Sequence, residues 1–170
     1  MSITTETHES VTSNRQTFDI FGVQLQFLIA PEQASGKISV YQGTLPPGIV
    51  VPLHSHEEPE IFYVLEGKLE VYQESGAQRG WSTTGVGDII AVPGNIKHAL
   101  RNTSSSPATT VMITQDQLYG FFREVVKPAN SQQPAPPSQE EMQHLFAAAA
   151  KYSYWMGSPE ENAAIGIQLG

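Results

Sequence analysis

The feature that most constrains the fold is a series of short apolar runs between Phe18 and Gln115. Gly, Pro, Asn and Ser interrupt the runs at close intervals, as is typical of short strands joined by tight turns. Residues 68–72 alternate, with Leu69 and Val71 on one face, as in a half-buried strand. Residues 74–85 are predicted to be a hairpin loop. The pattern predicts an all-β antiparallel sandwich or small barrel, with strands at Phe18–Gly22, Val23–Ile29, Lys37–Thr44, Ile49–His54, Ile61–Leu65, Lys68–Gln73, Asp88–Val92, Lys97–Asn102 and Ala108–Gln115.

Four potential metal ligands lie within this series. His54 and His56 are separated by one residue, Glu60 opens the next apolar run, and His98 lies in a second segment rich in Gly and Pro. Alternate residues of a strand point to the same face, so we expect the His54 and His56 rings to lie side by side. Imidazole and carboxylate groups suit first-row transition metals. The spacing therefore predicts a metal site set in an apolar pocket.

The glycines and prolines around these ligands resemble the two signature motifs of the cupin family. One position departs, because the second motif expects Gly two residues after Pro93, where this chain has Asn95, and Gly94 comes one residue early. Asn adopts positive φ more readily than most residues, so we expect the turn and the position of His98 to be kept. The resemblance covers about residues 36–115. The matching positions are Gly48, His54, His56, Glu60 and Gly67 in the first motif and Gly87, Asp88, Pro93, His98 and Asn102 in the second.

The resemblance to cupins implies a small antiparallel jelly-roll barrel over residues 17–127, followed by an α-helical appendage. It also implies one divalent transition metal, which in this family is Fe, Ni, Mn, Cu, Co or Zn. The metal would be held by His54, His56, Glu60 and His98. A structural zinc site is disfavoured because such sites prefer thiolates and the chain has no cysteine. Hydrogen-bonded polar residues without a metal are the other alternative, but every matching position holds a ligand-type residue.

Within the cupins, the chain is similar to the quercetin-dioxygenase-like group. The segment 121–124, the Pro-rich stretch after it and an Ala-rich helix ending near Tyr152 add to this resemblance. It implies a metal-dependent dioxygenase acting on a small enol, catechol or flavonol-like substrate, with Glu60 as the catalytic residue that helps deprotonate it. Two alternatives stay open: a metal-dependent isomerase or lyase that needs no dioxygen, and a non-catalytic cupin that binds a small molecule.

Several apolar side chains are candidate walls of a substrate pocket, although ordinary core packing is the simpler explanation for them. Glu57 and Glu58 precede a proline turn and are predicted to be solvated rather than to bind metal. The candidate wall residues are Phe62, Val64, Val71, Trp81, Phe121 and Phe122.

The two ends of the chain differ from the central domain. Residues 1–16 are polar and predicted to be a flexible arm, and residues 128–137 are a Pro-rich linker. In the C-terminal helical extension, residues 138–170, Ser138 and Glu141 have the spacing of a capping box, which predicts a helix over 139–154. Its apolar stripe must pack against the domain or a second subunit. The stripe contains Met142, Leu145, Phe146, Ala149 and Tyr152.

The composition narrows the choice of partners. The chain has 170 residues, which suits one domain, and its net charge of −8 and pI near 5.0 argue against nucleic acid or an anionic membrane as partner. The absence of cysteine and of a signal-peptide pattern leads us to expect a cytoplasmic protein. The expected partners are a small-molecule substrate and dioxygen, and the resemblance implies a homodimer.

Overall fold

The computed structural model describes residues 15–129 and 137–169. Most of this part of the chain consists of short strands, with helices concentrated towards the C-terminus. The strands are β1 (Phe18–Ile20), β2 (Val23–Ile29), β3 (Ser39–Leu45), β4 (Val50–Ser55), β5 (Glu60–Glu66), β6 (Lys68–Gln73), β7 (Gly80–Gly85), β8 (Ile89–Val92), β9 (His98–Arg101), β10 (Ala108–Thr114), β11 (Lys127–Pro128) and β12 (Trp155–Met156). The helices are α1 (Asp116–Val125), α2 (Gln139–Lys151) and α3 (Pro159–Ala164), with a 3-10 helix at Pro31–Ala34.

The strands form two antiparallel sheets. The larger has the order β11-β1-β2-β3-β10-β5-β8, and the smaller has the order β12-β4-β9-β6-β7. The prediction of antiparallel sheets is therefore confirmed in a chain that is mostly β, with helices towards its C-terminus, whereas a closed barrel is not found among the described residues. The physical reason is that consecutive strands such as β4 and β5 pair within different sheets, so no hydrogen-bonded ladder continues around the domain.

The main core lies between the two sheets. In β3 every second residue is buried, and Tyr41 and Leu45 belong to this core. The same alternation places Phe62 and Val64 of β5 inward and leaves Tyr63 exposed, as the position of Glu60 predicts. The buried core residues are Leu25, Tyr41, Leu45, Phe62, Val64, Leu69, Val71, Ile90, Val92, Leu100 and Met112.

Helix α1 occupies a segment that the sequence assigned to the barrel. Its buried residues Leu118, Phe121 and Val125 recur at helical spacing. They pack against Leu145 and other buried residues of α2 in a second apolar cluster. The predicted C-terminal helix thus docks on α1 of the same chain.

The first residue of α2 agrees with the predicted start of the helix, whereas its last residue comes before the predicted end. Its start is confirmed, because Ser138 Oγ accepts a hydrogen bond from the Glu141 amide at 3.2 Å and Ser138 N donates to the Glu141 carboxylate at 2.6 Å. The helix ends at Lys151, before the predicted 154, because Ser153 takes a left-handed φ of 53°. Phe146 is 54% exposed, so its assignment to the packed stripe is wrong.

Two other segments differ from expectation. Residues 80–85 form β7, which pairs with β6 from Lys68↔Gly85 to Gln73↔Gly80, so the predicted loop is shorter. Pro128, the predicted start of the linker, pairs with Phe18 in the short strand β11. The rest of the linker, 130–136, and most of the predicted arm, 1–14, lie outside the described residues. None of the described helices has the length and hydropathy needed to cross a bilayer.

Residues 154–167, which we call the C-terminal strap, run along β4 and cover the outer face of the smaller sheet. Ile167 packs against Leu53 and Ala99 there. Trp81 belongs to the same outer cluster, and its Nε1 donates a hydrogen bond to Ile165 O at 2.9 Å. The prediction that Trp81 is a pocket wall is therefore wrong, because in β7 it has the opposite parity to the residues that face the core.

The side chain of Asn162 fastens the strap to β4. Its Oδ1 accepts from Leu53 N at 2.8 Å, its Nδ2 donates to Gly157 O and Ser158 O, and it is fully buried. Asn162→Ala would leave the buried Leu53 amide without a partner, so we expect a loss of about 3 kcal/mol in urea unfolding. Ser158→Ala, which removes only the N-cap of α3, is expected to cost about 1 kcal/mol. Equal losses for the two variants would contradict the assigned role of Asn162.

Candidate metal centre

The four predicted ligands converge in the interior between the sheets. His54 lies on β4 directly opposite His98 on β9, His56 follows the end of β4, and Glu60 begins β5. Each offers one ligand atom, and these atoms all lie within 4.8 Å of one another. The four residues are between 1% and 5% exposed. The sheet pairing brings His98 to the first motif, although it is distant in sequence.

Each imidazole is oriented by a backbone carbonyl two residues away. The Nδ1 atoms of His54, His56 and His98 lie 2.7, 2.7 and 2.8 Å from Pro52 O, Glu58 O and Ile96 O, respectively. A carbonyl oxygen can only accept, so each Nδ1 carries the proton and donates. Each Nε2 is then left with its lone pair directed at the centre, which is the arrangement that metal-bound histidines use.

The electrostatics of the cluster keep Glu60 ionised. Burial alone raises the pKa of Glu60, but His56 and His98 outweigh it and hold this pKa well below its ordinary value. Burial and the neighbouring His98 hold the pKa of His54 well below its usual range. Burial also lowers the pKa of His56, yet the Glu60 carboxylate raises it further, so the net shift is upward.

One atom in the cluster shows that the donor set is incomplete by itself. His56 Nε2 is buried and has no hydrogen-bond partner among the described residues, with Glu60 Oε2 3.6 Å away. Buried polar atoms are normally paired. His98 Nε2 lies 3.0 Å from the same Glu60 oxygen. Three imidazoles and one carboxylate, with a buried nitrogen left unpaired among the described residues, fit a single divalent transition metal. Thiolates, which structural zinc sites favour, are absent from the sequence.

A tyrosine that the sequence did not suggest lies against the ligands. The ring of Tyr154 stacks on that of His54 with centroids 4.9 Å apart and planes 5° apart, and its centroid is 5.4 Å from that of His56. Burial and the nearby Glu60 charge raise the pKa of Tyr154 well above its ordinary value, so the phenol is protonated at neutral pH. The sequence signal was limited to an aromatic residue at the end of a predicted helix.

The candidate wall residues fall into distinct groups. Phe62, Val64 and Val71 are buried in the core between the sheets. Phe121 lies one ring removed from the ligands, since it stacks on Tyr154 at 4.4 Å. Phe122 packs edge-to-face on the buried Tyr41 at 5.4 Å. These five stay predictions as pocket walls.

Glu58 differs from its predicted solvated position, whereas Glu57 is exposed as predicted. Glu58 is 7% exposed, and its carboxylate accepts from Gln117 N at 2.9 Å and from Leu118 N at 2.8 Å. These amides open α1, where a carboxylate satisfies free N–H groups and the helix dipole. Because Glu58 O also binds His56 Nδ1, one residue joins α1 to a ligand.

Glu58→Gln is therefore expected to destabilise the protein by about 2 kcal/mol in urea unfolding, because one amide loses its acceptor and the helix loses a charge. Glu57→Gln is the matched control and should change stability by less than about 0.5 kcal/mol, since the side chain is exposed. If both variants unfold at the wild-type urea concentration, Glu58 does not stabilise α1.

The expectation that Asn95 keeps the turn is confirmed, and two basic residues close to His98 in the sequence face away from the site. Lys97 and Arg101 point away from the ligands, Lys97 towards Glu161 and Arg101 towards Glu70. Asn95 adopts the left-handed conformation with φ of 63°, and its amide donates to His56 O at 2.7 Å. The departure from the motif therefore leaves the turn intact.

Known proteins share both the sequence and the fold of this centre. Residues 41–114 match the cupin domain family. Over 76 residues the chain is 34% identical to germin-like protein subfamily 2 member 2 of Arabidopsis thaliana, an alignment that covers 44% of this chain and 35% of the relative. The chain thus spans about a third of the length of that relative.

Solved structures of low sequence identity have a similar fold. An oxalate decarboxylase of Bacillus subtilis aligns with a TM-score of 0.53 and 20% identity over 61% of this chain and 28% of its own. A protein from Thermotoga maritima described as a predicted oxalate decarboxylase also gives 0.53 and 20%, over 61% of this chain and 94% of its own. An RmlC-like cupin from Shewanella frigidimarina gives 0.51 and 18%, over 65% and 91%.

At these identities the structural likeness is evidence for the fold alone. The sequence match is evidence for more, because it includes the strands and turns that carry all four ligands. Fold, motif positions and ligand geometry agree over the same segment, so residues 41–114 are similar to the cupin domain in sequence and in fold.

Proposed function

We propose that this cupin is a metal-dependent dioxygenase that acts on a small enol, catechol or flavonol-like substrate. The observation that carries the proposal is the single carboxylate, Glu60, among three imidazoles in a buried site. With one negative ligand, a divalent ion keeps a net positive charge, which attracts an anionic oxygen donor such as an enolate or catecholate. A bound transition metal supplies Lewis-acid and redox chemistry.

The side chains of the protein bind the metal, accept the substrate proton and line the site. The three histidines are held by backbone carbonyls, so their Nε2 atoms are in place before substrate binds. Glu60, ionised because its pKa is low, accepts the hydroxyl proton of the substrate as the catalytic residue. Phe62 and Val64 follow Glu60 on the inward face of β5 and are proposed walls, together with Val71, Phe121 and Phe122.

Oxygen uptake tests this reaction. Apo-protein loaded in turn with Fe, Mn, Ni, Co, Cu or Zn is given a panel of catechols, enols and flavonols while dioxygen is measured with an electrode. We expect uptake in proportion to substrate with at least one metal, and none for the apo-protein or for His98→Ala. Turnover without oxygen uptake would contradict the dioxygenase proposal.

A metal-dependent lyase or isomerase is the second candidate, and Tyr154 favours it. Its phenol is protonated, its ring stacks on the ligand His54, and the ionised Glu60 is near enough to raise its pKa, so the region of the site contains both a proton donor and a proton acceptor. Such an enzyme turns over its substrate under anaerobic conditions at an unchanged rate. Tight binding of a ligand without turnover in either atmosphere would instead indicate a non-catalytic binding cupin.

We also infer a homodimer, which the exposed apolar side chains on the outer face of the larger sheet support. Tyr63, Leu65 and Ile89 are 43%, 43% and 66% exposed, and Tyr63 is paired with Ile89 across β5 and β8. Light scattering at several protein concentrations measures the mass directly, and a monomeric mass throughout would contradict the dimer. The cytoplasmic location stays a prediction.

A further inference from the structure

Three aromatic rings form a continuous stack that ends on a metal ligand. Phe121 of α1 stacks on Tyr154 with centroids 4.4 Å apart and planes 15° apart, and Tyr154 stacks on His54 at 4.9 Å and 5°. Tyr154 lies beyond the segment that matches the cupin family, residues 41–114. The stack therefore joins the centre to a part of the chain outside the shared domain.

Tyr154 is held in this position from both sides. Its amide donates to Ala149 O at 2.8 Å at the end of α2. The next two residues form β12, in which Trp155 pairs with Ser55 and Met156 pairs with His54. A Cβ added at Gly157 would come within 3.1 Å of Leu53, so this glycine allows the strap to lie close to β4. The backbone of the strap is thus fixed at the residue opposite the ligand.

His54 needs this support more than His98 does. His98 lies on β9, which has β4 on one side and β6 on the other. β4, in contrast, has only the short strand β12 on its outer side, so without the strap it would be an edge strand. The Nδ1 hydrogen bond to Pro52 fixes one point of the His54 ring but permits the ring to pivot about that point. A parallel ring packed against the face of the imidazole prevents this rotation.

We propose that Tyr154 is a positioning residue of the metal centre: its ring holds the His54 imidazole in the plane that directs Nε2 at the metal position. The inference rests on the metal-binding part of the proposed function and not on the reaction that follows. Groups that orient a metal ligand typically change metal affinity by about 10- to 100-fold when removed. The ring of Tyr154, rather than its hydroxyl, is the group that makes this contact.

Titration of the apo-protein with Co²⁺ tests the proposal, because the visible absorption of the ion reports its ligand geometry and the titration gives its Kd. We expect Tyr154→Ala to raise the Kd at least about tenfold and to shift the absorption bands. Tyr154→Phe keeps the stack and should stay within about twofold of the wild type. Tyr154→Leu fills most of the volume without a flat ring and should resemble the alanine variant in its spectrum.

Tyr152→Ala is the matched control. Tyr152 also lies at the C-terminal end of α2 and packs against Phe121. Its hydroxyl donates to the Glu124 carboxylate, and its ring pairs are with Phe121 and not with a ligand. We expect a lower Tm with the Co²⁺ spectrum and Kd unchanged. The proposal is overturned if Tyr154→Ala and Tyr154→Leu keep the wild-type spectrum and Kd, or if Tyr154→Phe loses affinity as much as the alanine variant. Failure of the wild type to bind Co²⁺ would instead refute the metal site itself.

Discussion

Replacing His56 with alanine is expected to remove stoichiometric metal from the protein. Within the part of the chain that the structure describes, His56 Nε2 is buried without a hydrogen-bond partner, and the His56 ring is oriented by Glu58 O. Loss of this ligand leaves two imidazoles and a carboxylate, with a void where the ring was. Metal content of untagged protein by mass spectrometry should fall from about one ion per chain to a small fraction of that.

The stability of the variant should change in a way that identifies the cause. A ligand at about 100 times its Kd stabilises a folded protein by about 2.7 kcal/mol. A chelator should therefore lower the Tm of the wild type and leave that of His56→Ala unchanged. The ring also satisfies Glu58 O, so the variant should be less stable than chelated wild type by about 1–3 kcal/mol.

His144→Ala is the matched control for this experiment. His144 lies on the exposed side of α2, and its Nε2 is 2.9 Å from Glu124 O. Its removal should leave metal content and the chelator response at wild-type values. A His56→Ala protein that retains a full complement of metal would show that the four residues do not form the binding site.

The sequence predicted those features that depend on local spacing. The ligand set followed from the motif, and the common face of His54 and His56 followed from strand parity. Residues two apart on a strand point to the same face in any fold. The capping box of α2 and the left-handed conformation of Asn95 are local in the same sense. The capping box and the conformation of Asn95 are decided within a few residues and are confirmed, whereas the four predicted ligands are brought together by the pairing of β4 with β9.

Features that depend on distant contacts were not predicted. Glu58 is buried because α1 brings two free amides to it, and nothing near Glu58 in the sequence indicates that helix. Tyr154 reaches the centre only because β12 pairs with β4. Trp81 faces outward because the strap supplies a partner there for its Nε1. In all three cases the partner lies more than about fifty residues away.

The departure from the second motif can itself be explained and tested. Motif glycines serve either for positive φ or for a close approach. Here the two roles are divided between neighbours, since Asn95 has the positive φ of 63° and Gly94 has the close approach. A Cβ added at Gly94 would overlap the carbonyl oxygen of Glu57. The glycine is thus one residue early because that is where the turn meets the segment between His56 and Glu58.

Gly94→Ala is accordingly expected to be among the most disruptive single substitutions in the domain. The added methyl group meets backbone, which cannot rotate away, so residues 56–58 must move. That movement breaks the hydrogen bond from Asn95 N to His56 O and displaces Glu58 O from His56 Nδ1. We expect a loss of about 3 kcal/mol in urea unfolding, together with a metal content well below one ion per chain.

Two other substitutions separate crowding from backbone strain. Gly85→Ala meets its nearest neighbour, Asp88 Oδ2, at 3.8 Å, an ordinary contact, and should cost less than about 1 kcal/mol without loss of metal. Asn95→Gly removes only the strain of positive φ, so its stability should stay within about 1 kcal/mol of wild type. If Gly94→Ala were as mild as these two, the approach of the two turns would not determine the position of His56. If it lowered stability but not metal content, the turn would support the fold without orienting the ligand.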